Sequence, residues 1–172
     1  KNKKLDYYLK ILKSKNFVQD KKAKSLSFFY KGKSSGAIFD KTVLLLIKKI
    51  SFLIKDNIRI NLNKNKNENY HDMIILQRKN TVIKPHRHPS GGETIHLIYG
   101  KMNVFLMNSK GVIKKKLQMN TKKNLVYRVP GKIFHTYNIL SNYVVYHENK
   151  SGPYDRNKNM IFLEKKIKWE YW

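Results

Sequence analysis

Four side chains have the types and spacing of a metal site: His86, His88, Glu93 and His135. His86 and His88 stand two apart, and successive side chains of an extended strand alternate between its faces, so both imidazoles point the same way. One cation can then take both. Pro89-Ser90-Gly91-Gly92 follows them, a turn with two glycines free to take positive φ. It folds the chain back so that Glu93 opens a neighbouring strand with its carboxylate toward the histidine pair. His135 comes after a second turn at Pro130-Gly131. Three neutral imidazoles and one carboxylate form a borderline donor set suited to one divalent transition metal, whether Fe, Mn, Zn, Ni, Co or Cu. Such sites leave one or two positions for water or substrate.

The elements that must hold these residues read as strands. Ile58, Ile60 and Leu62 alternate with polar residues, and residues 72–77, 81–85, 93–99, 101–107, 112–117, 124–129, 133–139 and 143–148 are short segments separated by turn signals. Segments 93–99 and 101–107 are expected to pair across Gly100, and Asn108-Ser109-Lys110-Gly111 to form a hairpin turn. Many short strands of this kind indicate an antiparallel jelly roll or barrel. The strand period puts Ile95, Leu97 and Tyr99 on the side of Glu93, and Ile133 and Tyr137 on the side of His135. Tyr137 is the candidate for a substrate hydrogen bond or a proton transfer. Arg87 should face away from the ligands, and Arg78, Arg128 and Lys84 are further candidates for contact with an anion. His71, His96 and His147 are read as hydrogen-bonded or surface histidines.

The site residues resemble a known pattern. His-x-His, four residues, Glu93, six residues and Gly100, then Pro130, four residues and His135, resemble the paired motifs of the cupin superfamily. Pro85-His86-Arg87-His88-Pro89, Glu93-Thr94-Ile95-His96, and Glu148 followed by Gly152-Pro153-Tyr154-Asp155 look like the WbuC family of cupin-fold metalloproteins, from about Ile58 to Trp169. Asn80 and Lys132 stand where the general pattern has glycine, and Asn138 falls one position early. The resemblance implies a mainly β fold, an antiparallel cupin jelly-roll barrel, here with N-terminal helices. It also implies a cytoplasmic metalloprotein with a role in surface polysaccharide (O-antigen) or nucleotide-sugar biosynthesis, without fixing its reaction; a metal that polarises a sugar carbonyl or holds a hydroxyl would support sugar isomerase or epimerase chemistry. The same donors suit a metal-dependent dioxygenase, or a sugar-binding or regulatory barrel without turnover, and fold alone does not choose.

Residues 1–57 are expected to form a helical segment packing on the barrel of residues 58–172. Leu5, Tyr8, Leu9 and Leu12 have helical spacing, and Asp40 caps a helix to about Lys55 with the apolar stripe Val43, Leu46, Ile47, Ile50, Leu53 and Ile54. That stripe is expected to cover an end or edge of a sheet or make a homodimer contact, in preference to lying on an anionic membrane surface as a basic amphipathic helix can. Lys48-Lys49 interrupts it, so it does not span a bilayer. The closing Trp169-Glu170-Tyr171-Trp172 is expected to pack over the barrel or against a second subunit.

At 172 residues and 41% hydrophobic content the chain suits one core, and it holds no cysteine for disulfides or thiolate metal sites. Its net charge of +26 comes mostly from lysines spread along the whole length. That favours weak attraction of anions, such as an anionic sugar derivative, over specific nucleic-acid recognition, which relies on arginine forks and a localised stripe.

Overall fold

Asp40 begins the first long helix as its spacing predicts: its carboxylate accepts from Val43 N at 2.8 Å, and α2 runs Lys41–Ile54 before Lys55 turns left-handed. The structure, a computed structural model, describes residues 2–33, 36–89, 91–165 and 167. Ahead of α2 lie α1 (Lys3–Ser14), β1 (Phe17–Gln19) and β2 (Leu26–Tyr30). After it come β3 (Ile58–Asn61), β4 (Tyr70–Arg78), β5 (His86–Arg87), β6 (Glu93–Tyr99), β7 (Lys101–Met107) and β8 (Ile113–Asn120). The chain goes on through β9 (Val126–Val129), β10 (Phe134–Ile139), β11 (Tyr143–Ser151), α3 (Arg156–Asn159) and β12 (Ile161–Phe162). The fold is mainly β with N-terminal helices, as expected. Among the described residues no helix is long and apolar enough to cross a membrane.

The strands form two sheets, β1-β2-β3-β4-β11-β6-β9 and β12-β5-β10-β7-β8. All pairs are antiparallel except β2 with β3. Ile75, Ile95, Leu97 and Tyr146 of the first sheet share one apolar cluster with Val104, Met119, Tyr137 and Ile139 of the second, so the sheets face each other and the barrel interior lies between them. The opposite face of the first sheet carries Ile58, Ile60, Ile74 and Leu76, which pack with Leu12 of α1 and with Val43, Leu46, Ile47 and Ile50 of α2. Strand alternation therefore builds two cores on two faces of one sheet. The stripe of α2 covers the sheet's face rather than its end or edge.

Four expectations need correction. Segments 93–99 and 101–107 do not pair, because β6 belongs to the first sheet and β7 to the second. A single residue is too short for a hairpin, and Gly100, at φ 92°, instead turns the chain across the barrel. A Cβ there would meet Tyr143 O at 2.6 Å. By the same logic Glu93 opens a strand of the facing sheet, not a neighbour of β5. Residues 81–85 form no strand; they are tied by side-chain and isolated backbone bonds, such as Thr136 Oγ1 to Ile83 O at 2.6 Å. The segment before residue 58 is also more than helical, since β1 and β2 extend the first sheet.

The C-terminal segment returns over the site. Ile161 pairs with Arg87 and Phe162 with His86, and Leu163 N donates to Pro85 O at 2.9 Å. Residues 168–172, with the aromatic ending, lie outside the described residues.

Asn80 and Lys132, the two departures from glycine, both take positive φ, 69° and 65°. The turns survive, since asparagine tolerates this region well, whereas lysine is strained there by about 1–2 kcal/mol. Glycine at position 132 removes that strain but loses about 0.5–1 kcal/mol in chain entropy. Lys132→Gly should therefore raise stability by about 0.5 kcal/mol, read as an unchanged m-value with a higher urea midpoint. A lower midpoint would refute the strain.

Candidate metal centre

Two strands of one sheet and one of the other deliver three of the predicted side chains, and His88, just past the end of β5, supplies the fourth. His135 of β10 is the register partner of His86 of β5, which puts a third imidazole beside the His-x-His pair, and Glu93 reaches across from β6. All four are buried, and one ligand atom from each lies within 4.8 Å of the others. Ring centroids are 4.4 Å apart for His86 and His135, 5.3 Å for His86 and His88, and 5.5 Å for His88 and His135.

Each imidazole is held by its outer nitrogen. His86 Nδ1 lies 3.0 Å from Lys84 O, His88 Nδ1 2.8 Å from Asn159 O, and His135 Nδ1 3.0 Å from Ile133 O. A carbonyl only accepts, so Nδ1 carries the proton and the neutral ring turns the lone pair of Nε2 inward. His88 Nε2 stands 3.0 Å from Glu93 Oε2. His135 Nε2 is buried 3.1 Å from Glu93 Oε1, out of line for a hydrogen bond. Lone pairs gathered around a carboxylate repel one another unless a proton or a cation stands among them, so the donor set fits a transition metal with backbone carbonyls as its outer support.

The titration directions follow from this crowding. Burial lowers His86 most, with His135 adding to it, to about 4. Burial also pulls His135 down, but its contact with Glu93 outweighs that and leaves it raised. Burial would raise Glu93, yet His135, His88 and Lys150 hold it well below the usual carboxylate range. Glu93 is thus an anion.

Tyr137 donates its hydroxyl to Glu93 Oε1. Tyr137→Phe should leave that oxygen one donor short and lower metal affinity by about tenfold, the smaller end of outer-support effects. Competition against a chromophoric chelator reads this, and an unchanged affinity would remove Tyr137 from the site.

The remaining expected neighbours divide. Ile95 and Leu97 are buried in the barrel. Tyr99 and Ile133 are not, being 48% and 38% exposed. A register shift between Val145 and Tyr146 interrupts the β11–β6 pairing next to Tyr99, which stacks on Tyr143 at 4.8 Å. Ile133 precedes β10, directly after the left-handed Lys132. Arg87 faces away as expected, over the Phe134 ring. Arg78 lies over Phe52 of α2 and Arg128 donates to Thr94, so neither serves the centre. His71 meets Lys66 O at 3.1 Å, His147 pairs with Asp72 at 3.3 Å, and His96 is exposed.

Sequence reasoning missed Asn159 and Lys150, and named Glu148 only as part of the resemblance, with no place at the site. Asn159 acts through its backbone carbonyl, which has no side-chain signature. Lys150 is the register partner of Glu93, and its Nζ donates to Glu148 Oε1 at 2.7 Å. The i, i+2 spacing of Glu148 and Lys150 was the available signal, but only the register says which face they share.

The family model of a domain of unknown function (DUF6016) matches residues 56–119, less than half of the chain. No curated protein matches the chain in sequence. Among solved structures it is similar to oxalate decarboxylase from Bacillus subtilis, with TM-score 0.49 and 15% identity over 63% of this chain and 28% of that one. It is also similar to oxalate decarboxylase from Lactobacillus farciminis in a formate complex, with TM-score 0.45, 16% identity, and 56% and 27% of the two chains covered. A cupin superfamily protein from Desulfitobacterium hafniense gives TM-score 0.44 and 8% identity over 55% of this chain and 76% of that one. The chain spans just over a quarter of the length of either decarboxylase.

Proposed function

We propose that this chain is a metal-dependent cupin whose His86, His88, Glu93 and His135 hold one divalent transition metal, and which acts on an anionic sugar derivative in the cytoplasm. The observation that carries the metal reading is the set of three imidazoles, each pinned at Nδ1 by a backbone carbonyl, around one buried carboxylate. The residues quoted for the WbuC resemblance support the finer reading, a step in making surface polysaccharide or nucleotide sugars. The metal would supply a Lewis acid that polarises a carbonyl or hydroxyl oxygen, as isomerase or epimerase chemistry needs. Glu93 brings the negative charge that holds the cation. Tyr137 holds its proton at Oη against Glu93 Oε1 and is the group placed to exchange a proton with a bound sugar.

A thermal-shift series on the metal-loaded chain with nucleotide sugars and sugar phosphates tests the substrate class, because a ligand stabilises only the folded state it binds. A saturable rise that disappears after chelation is expected. No rise with any of them rejects the sugar reading, and elemental analysis of the same samples tests the metal independently.

A further inference from the structure

One cationic side chain in the barrel does more than lower the Glu93 carboxyl. Lys150 is the register partner of Glu93 on β11, and paired residues of adjacent strands point to the same side, so its ammonium is on the interior face. Its side chain is only 15% exposed. An ammonium has three N–H groups; one goes to Glu148, and Nζ makes no other hydrogen bond among the described residues. Lys150 also lines a cavity of about 30 Å³ together with His88, Gly92, Tyr154 and Asn159. That is space for about two water-sized groups, enough for the two oxygens of a carboxylate.

Charge balance also calls for an anion in the interior. Arg59, in register with Ile75, lies on the same interior face and its Nε is buried. Glu93 and Glu148 cancel Lys150 and Arg59. A divalent cation then adds two charges with no further described interior carboxylate to meet them, and uncompensated buried charge is costly.

We propose that Lys150 is a ligand-binding residue that selects a carboxylate group, held in the cavity between its ammonium and His88; the inference rests on the metal reading above. The metal-loaded full chain should bind acetate saturably and should not bind acetamide, which has the same shape without the charge. Lys150→Met and Lys150→Gln should each weaken acetate at least tenfold while still holding about one metal per chain by elemental analysis. The glutamine variant keeps a donor for Glu148, and if neither variant melts cooperatively, the comparison of acetate with acetamide on the unaltered chain decides. Equal binding of acetate and acetamide, tighter binding of inorganic phosphate than of acetate, no binding of acetate, or an unchanged Kd in a folded, metal-loaded variant overturns the inference and leaves the metal centre standing. An unaltered chain that takes up no metal overturns both.

Discussion

Glu93→Gln should lower the affinity of the chain for a divalent transition metal by at least 100-fold. Glu93 is the one anion among the four donors and is 1% exposed, so no water replaces its charge when it is lost. Substituting groups that merely support a ligand costs about 10–100-fold, and removing a ligand's charge should cost more. Glutamine has nearly the same shape and still offers an oxygen to the Tyr137 hydroxyl, so the barrel should keep its cooperative melt. His96→Ala, at an exposed position three residues along the same strand, is the matched control and should change nothing. Both are read by competition with a chromophoric chelator and by metal content after dialysis. If the glutamine variant retains metal like the unaltered chain, Glu93 is a structural partner of His88 and His135 and not a ligand.

That four such residues were legible at all reflects how local most of the signal is. The two-residue period of His86 and His88, and the glycine turn before Glu93, are written in eight consecutive residues. His135 needed the β10–β5 register, which no local pattern states, and was reached only through its own turn and the resemblance. The α2 cap and stripe were readable because a helix's face is fixed by its own spacing. Its partner was not, since apolar residues on both faces of β4 give that strand no clear inside. The run Leu26–Tyr30 carries three aromatics and does not alternate in burial, so nothing separated it from a helix segment, and its parallel pairing with β3 depends on the intervening α2. Tyr99 followed the strand period on paper, but Ile98, an extra residue of its own strand left without a partner on β11, broke that period just before it. Asn80 and Lys132 hid their turns by not being glycine, while keeping the left-handed backbone that glycine usually supplies.

In the metal-free chain, stability should peak near pH 6.5 and fall by about 2 kcal/mol between pH 6.5 and 4.5 through His86 alone. His86 titrates at about 4 when folded, against an ordinary value of 6.5. Between those values the unfolded chain binds a proton that the folded chain refuses, so stability rises with pH across this window and is lost as pH falls through it. His135 has the opposite sign, because its folded value is raised. Its contribution is complete below 6.5 and disappears as pH climbs through the raised value, so the two histidines tilt the curve on opposite sides of 6.5. Glu93 adds to the acid side only below its ordinary 4.5, since its folded value is depressed and its stabilisation is present above that point. His71, lowered chiefly by burial, steepens the same acid limb. Urea unfolding of chelated protein at pH 6.5 and 4.5, run in parallel on His86→Gln, isolates the one residue from this background. The variant should lose about 2 kcal/mol less than the unaltered chain. An equal loss in both would mean that His86 is protonated in the folded barrel at pH 4.5, and that its ring is not the neutral, inward-facing donor the centre requires.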